Sequence, residues 1–176
     1  VADYGQSDVE SWNNVKVMKG NDFEKNAAAG AIALWRAMRL ADADVYFHEA
    51  ASAGTFLLAM FCKVHKKPFI YRTAHQDECD GTYLKQHYLA GKLFKTGLRW
   101  AKVVLTQNDT DRNNLLKTMN LDSVVVRGGH LIPEQSTSER EFILWMARSA
   151  DFKRPTLFLD LAEKFPNEKF VMVCSK

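Results

Sequence analysis

The sequence predicts an alternating α/β protein built on parallel sheets, and three features carry that expectation. Short apolar or β-branched runs recur along the 176 residues, helix-like stretches separate most of them, and the runs are nearly continuous in hydrophobicity. A parallel strand covered on both faces requires that continuity, whereas a strand with one wet face alternates. The composition, 47% hydrophobic and 26% charged, supplies apolar material for one good-sized core or two small ones.

Taken in order, strands are expected at about Val15–Met18, Val45–His48, Phe69–Tyr71, Val103–Thr106, Val124–Val126, Ile143–Met146 and Phe170–Val173. Between the first two, AAAGAIALWRAMRLAD sets Ile32, Trp35, Met38 and Arg39 at helical spacing, which reads as a core-facing crossover helix. Gly54–His65 reads as a second helix, with Lys63, Lys66 and Lys67 suiting its C-terminal dipole and Pro68 stopping it. A longer amphipathic helix is expected over Tyr83–Ala101, where Leu84, Tyr88, Leu93, Phe94 and Leu98 lie among Lys85, Lys92, Lys95 and Arg99. The fourth begins at an Asn108/Asp109 cap and runs to about Met119, ending at Asn120.

The alternation then breaks. VVVRGGHLIPEQSTSER holds two adjacent glycines, a proline and a Ser/Thr stretch where a helix should separate two strands. The expected organisation is a first α/β domain over 1–129, a hinge over 130–138 and the beginning of a second domain over 139–176. That second part is a strand, loop, helix and strand, with Pro155 in the first helical turn and Pro166 marking the helix end.

Several function classes are disfavoured at this stage. A net charge of +3 is too small and too evenly spread for nucleic-acid binding through phosphate neutralisation. No apolar run approaches the ~18 residues of a membrane span. The three cysteines, Cys62, Cys79 and Cys174, are odd in number and far apart, which suggests a reduced, cytoplasmic setting. VADYGQSDVES has neither the basic start nor the apolar centre of a secretory signal, although a chain that starts without Met and stops at VMVCSK looks cut at both ends. Cys62 and Cys174 read as core thiols and Cys79 as an exposed one.

Two loops could carry chemistry. ARSADFKRP joins a strand to a helix start and holds Arg148, Lys153 and Arg154, a candidate diphosphate cradle; a basic pair beside a helix start is also ordinary solvated surface. TAHQDECDG, residues 73–81, follows a strand and concentrates His75, Asp77, Glu78, Cys79 and Asp80, which could supply a general base or hydrogen bonds to a polyhydroxylated substrate. It reads equally well as a solvated acidic loop. Its potential ligands crowd one loop without helical i, i+4 or CxxC spacing, so no metal site is expected. His48 and Glu49, at a strand end facing the same edge, are lesser candidates for acceptor or sugar contacts, as are Asp77 and Glu78. Glycine-rich phosphate loops and GxSxG elbows are missing from the sequence. The basic, aromatic stretch 83–101 suits either packing on the sheet with snorkelling lysines or peripheral contact with an anionic membrane surface.

At this point a family resemblance enters. ILWMARSADFKRPTLFLDLAEKFPNEKFVMV resembles the first βαβ of the C-terminal domain of family 4 (group 1) glycosyltransferases of GT-B type. ADADVYFHEAASAGTFLLAMFCKVHKKPFIYRTAH and AKVVLTQNDTDRNNLL are similar to the second half of that family's N-terminal domain. The resemblance implies Rossmann-like parallel sheets, most of an acceptor-side domain, a hinge and the opening of a donor-side domain. It implies that Arg148 and Lys153 hold the donor diphosphate and that His75 is the catalytic residue near the transferred sugar. It further implies a nucleotide-sugar donor with no separate cofactor, a saccharide or lipid-linked acceptor, retention, metal independence and a location on the inner face of the plasma membrane. The family's glycine after the second C-domain strand is replaced here by Cys174 and Ser175, and this chain alone is expected to be inactive. A non-catalytic nucleotide- or sugar-binding module and a GT-B-like UDP-sugar epimerase are the alternatives.

Overall fold

The computed structural model describes residues 9–12, 15–18, 26–129 and 141–175, and the hinge expected at 130–138 lies outside them. The chain divides into two compact units, Val1–Gly129 and His130–Lys176.

In the first unit, β1 (Val9–Trp12) and β2 (Val15–Met18) pair antiparallel as a two-stranded sheet of their own. This corrects the expectation that Val15–Met18 opens the parallel sheet: its partner is the segment just before it in sequence. Helix α1 (Ala27–Ala41) starts where the Asn26 side chain accepts the Ala29 N–H, and ends at Asp42 in a left-handed conformation. Four parallel strands follow in the order of the chain: β3 (Tyr46–Glu49), β4 (Phe69–Arg72), β5 (Val103–Thr106) and β6 (Val124–Val125). Register pairs His48 with Tyr71, Glu49 with Arg72, and Thr106 with Val125, so the carboxyl ends of all four strands lie along one edge.

Helix α2 (Ala53–Val64) begins at a reciprocal cap, Ser52 with Thr55, and helix α5 (Asp109–Met119) begins at Asn108, whose side chain accepts the Asp111 N–H. The expected long helix is two: α3 (Thr82–Gln86) and α4 (Tyr88–Trp100), broken at His87 with φ −126° and ψ 71°. Apolar spacing runs through His87 without interruption, so the break is tertiary in origin. A Cβ at Gly91 would stand 2.8 Å from the Leu84 backbone, and the glycine lets α4 lie against α3.

One contiguous core holds this unit. Phe69, Tyr71, Phe94, Leu98, Leu115 and Met119 are almost completely enclosed, with Tyr71 edge-on to Phe94 at 5.5 Å. Trp35 of α1 packs edge-on against Phe61 at 5.0 Å, and the Tyr46 hydroxyl donates to the Met38 carbonyl at 2.7 Å, tying α1 to β3. Ile32, expected to face the core, is instead 62% exposed, because α1 meets α2 through Trp35, which packs on Phe61, and its Ile32 side faces away. Cys79, expected to be exposed, is buried. Cys174, expected in the core, is exposed.

The described residues of the second unit form a βαβ: β7 (Ile143–Arg148), a short 3-10 turn, α6 (Pro155–Lys164) and β8 (Phe170–Ser175). The strands pair in parallel from Ile143–Phe170 to Arg148–Ser175. Phe158 of α6 meets Trp145 and Phe170 on one face, at 6.3 and 5.4 Å between ring centres.

Candidate functional site

The carboxyl edge of the four-stranded sheet gathers the loop candidates of the first unit. In an open parallel sheet this edge receives ligands, because strand ends and helix starts converge there. His75 caps the 3-10 turn Gln76–Glu78: its Nδ1 accepts the Asp77 N–H at 3.3 Å and lies 3.3 Å from an Asp77 carboxylate oxygen. Both side chains remain open to solvent, His75 at 63%. An exposed imidazole steered by a neighbouring carboxylate can accept or donate a proton, or hydrogen-bond a hydroxyl.

Glu78 behaves differently. It is expected among the residues that touch acceptor or sugar, yet only 4% of it is exposed. One carboxylate oxygen accepts the Ala51 N–H at 3.0 Å, and the other accepts the Tyr71 hydroxyl at 2.8 Å and the Ala74 N–H at 3.2 Å. The 3-10 turn rolls this side chain inward, where three donors offset the cost of burying its charge. The Tyr71 hydroxyl facing that carboxylate is pushed far above its ordinary pKa, chiefly by burial and then by Glu78.

His48 and Glu49 end β3. His48 is half-buried, its Nδ1 3.3 Å from the Thr55 hydroxyl, and burial lowers its pKa, favouring the neutral ring. Glu49 pairs with Arg72 across the strand ends at 3.2 Å. The sequence pointed to neither Arg72 nor Gln107. Gln107 follows β5 and donates from one amide nitrogen to the carbonyls of Thr73 and Ala74, at 2.9 and 3.3 Å. Its position one residue past a parallel strand is the signal that could have marked it.

In the second unit, Arg148 is the last residue of β7, Lys153 ends the 3-10 turn, and Arg154 sits at φ +53° as the residue before Pro155 at the start of α6. All three are exposed. Among the described residues none has a carboxylate within ion-pair distance, and the Lys153 ammonium lies 5.2 Å from the centre of the Phe152 ring. The chain reversal between β7 and α6 is closed by backbone bonds from Lys153 to Ala150 and from Arg154 to Asp151, at 2.8 and 2.9 Å. Exposed cations on such a reversal, beside the positive end of a helix dipole, suit an anionic ligand.

Among the described residues, no group of three His, Cys, Asp or Glu side chains is arranged to hold a metal ion, and no helix is long and apolar enough to cross a membrane. Within 73–81, the inward turn of Glu78 separates it from His75 and Asp77.

No family model matches the sequence, and no curated protein matches it. Its fold is similar to that of a putative UDP-N-acetylglucosamine 2-epimerase from Listeria monocytogenes, at 11% identity and a TM-score of 0.52. The likeness covers 91% of this chain and 47% of that one, so the chain spans less than half the length of this neighbour. At such identity the likeness speaks to fold: an α/β, Rossmann-like architecture of GT-B type with parallel strands.

Proposed function

We propose that this chain is part of a GT-B-type glycosyltransferase, related to family 4, that moves a sugar from a nucleotide-diphosphate donor to a saccharide or lipid-linked acceptor. The observation that carries the reading is the set of cations at the β7–α6 reversal, Arg148 and Lys153 with Arg154 beside them, none paired with a carboxylate among the described residues. Charge accumulates on a diphosphate as its glycosidic bond breaks, and fixed cations stabilise that leaving group without metal. In this reading 1–129 form the acceptor-side domain, 130–138 the hinge and 139–176 the opening of the donor-side domain. His75 hydrogen-bonds the transferred sugar or assists loss of the acceptor hydroxyl proton, with Glu49, His48 and Asp77 lining the same sheet edge. Retention of anomeric configuration follows from the family resemblance.

The test is calorimetric titration of UDP, GDP and ADP into the protein as its gene encodes it, alongside Arg148→Ala and Lys153→Ala. Each substitution is expected to weaken diphosphate binding by about tenfold or more, the usual scale for losing a charge-assisted bond. Unchanged affinity in both variants would remove the site assignment.

A second reading, a UDP-sugar epimerase, is favoured by the solved structure to which the fold is similar. It uses the same diphosphate cradle, and the two part on outcome: an epimerase interconverts a UDP-sugar with no acceptor present, whereas a transferase leaves the sugar's configuration untouched until an acceptor is added.

The proposal extends to peripheral contact with the inner face of the plasma membrane. Tyr88, Leu89 and Leu93 of α4 are exposed beside Lys85, Lys92 and Arg99, and the sequence has no Asp or Glu from Gly81 to Asn108. Exposed apolar groups flanked by cations suit an anionic bilayer surface. Sedimentation with phosphatidylglycerol-containing vesicles and not with phosphatidylcholine alone, lost in Leu89→Ser, is the expected result.

A further inference from the structure

We infer that Glu78 and Gln107 form a clamp that positions His75, and that both are positioning residues which do not themselves touch the sugar. This rests on the proposed reading of the sheet edge as an acceptor-side wall.

The segment Thr73–Ala74, directly before His75, is held from two sides. Gln107 donates to both of its carbonyls at 2.9 and 3.3 Å, and Glu78 accepts its Ala74 N–H at 3.2 Å. The Thr73 N–H is taken by the Leu105 carbonyl at 2.9 Å. The backbone leading to His75 is therefore fixed by side chains from the end of β5 and from the 3-10 turn beyond His75 itself. The same carboxylate reaches across to the exit of β3 through the Ala51 N–H at 3.0 Å. There Ala50 sits at φ +69°, a left-handed conformation that costs a residue with a Cβ. Such a conformation persists where surrounding bonds over-determine it, and here they are Ala51 to Glu78 and Ala50 N–H to the Arg72 carbonyl at 3.3 Å.

Burying a carboxylate at 4% exposure is an expensive way to fill space, since an apolar side chain of similar volume would serve packing as well. What an apolar group cannot do is accept three N–H and O–H donors from three directions. Glutamine cannot do it either, because its NH2 would face a donor. The clamp therefore requires an acid at position 78 and an amide at position 107, and it ties the loop that follows His48 and Glu49 at the end of β3 to the loop that carries His75 and Asp77.

The test has two arms. In the 176-residue chain, NMR order parameters at residues 74–77 are expected to fall from rigid values, about 0.85, to below about 0.6 in Glu78→Gln and in Gln107→Ala, with Phe94 and Leu115 unchanged. Gln107→Ala keeps the arm decisive if Glu78→Gln fails to fold. Unaltered order at His75 in Gln107→Ala overturns the clamp. In the gene-encoded protein, turnover of the nucleotide sugar whose diphosphate binds best in the titration is expected to lose about a hundredfold in kcat with donor KM held, a cost typical of misplacing a reacting group. Combining Gln107→Ala with His75→Ala should add nothing to the loss from His75→Ala alone, since both act through one imidazole. An additive loss would mean a merely structural role and would also overturn the clamp. If His75→Ala leaves turnover intact, the reading of this sheet edge fails on its own, whatever the order parameters show.

Discussion

The strands β4 and β7 are written in nearly the same apolar code and end in opposite situations. β4, Phe-Ile-Tyr-Arg, lies between strand neighbours, with Phe69 1% exposed and Tyr71 fully enclosed. Among the described residues β7, Ile-Leu-Trp-Met-Ala-Arg, pairs with β8 and meets α6. Trp145 meets Phe158 of α6, whereas on the alternate positions Leu144 is 51% and Met146 74% exposed. A continuous apolar run records that a strand is suited to burial on both faces; it does not supply the second cover. Among the described residues the fully enclosed side chains lie in the first unit, and the second is joined by the cluster of Trp145, Phe158 and Phe170.

That contrast can be broken or sharpened by a graded series. Phe94→Ala removes a ring that touches both Tyr71 and Tyr83, and should cost about 3–5 kcal/mol in urea unfolding of the first unit. A cost below that of any second-unit variant would invert the comparison. Tyr71→Phe deletes a donor to the buried Glu78 carboxylate while keeping the ring, with an expected loss of about 1.5–3 kcal/mol by the same measurement. In the second unit, Phe158→Ala should reach about 0.5–1.5 kcal/mol beyond its lost apolar area, read by amide exchange across β7 and β8. Met146→Ala, on the open face, should change stability by less than about 0.5 kcal/mol, and a larger loss would reveal a cover for that face.

Chemical probes extend the series. Native labelling with a thiol reagent should modify Cys174 alone, because burial encloses the other two thiols and raises their pKa values, Cys62 to about 11 and Cys79 to about 12. Rapid labelling of Cys79 would mean that the loop 73–81 opens. For His48 the sign is set by its lowered folded pKa. The unfolded state binds the proton more readily, so its contribution is complete above about 6.5, the ordinary value, and is lost as pH falls through the lower folded value. Urea midpoints followed downward from neutral pH should drop less in His48→Gln than in the parent.

Much of the fold was legible in the sequence. The parallel strands after residue 42 and the helices capped by Ser52–Thr55, Asn108 and Pro155 fall within a residue or two of their expected bounds. Caps and breakers act within one turn, so nearest neighbours suffice to place them. The misreadings share one cause. Val15–Met18, the break at His87, the open side of Ile32 and the exchanged exposure of Cys79 and Cys174 all depend on which partner a segment meets. Among the candidate residues, type and loop position pointed to His75 after β4 in the first unit and, separately, to Arg148 and Lys153 after β7 in the second. They did not separate exposed His75 from buried Glu78 three residues later, since a 3-10 turn repeats every three residues while the direction of each side chain is settled by what it meets.

The amino-acid order by itself determined the α/β class, the parallel strands and the loops that hold titratable and cationic groups, because propensity, capping and apolar continuity are local properties of the chain. Only the tertiary structure decided that Glu78 turns inward to three donors, that Gln107 reaches the carbonyls before His75, and that Tyr71 of β4 is enclosed while Met146 of β7 is exposed. The free energy of a buried charge or an apolar face depends on the groups that surround it, and those come from segments far away in sequence.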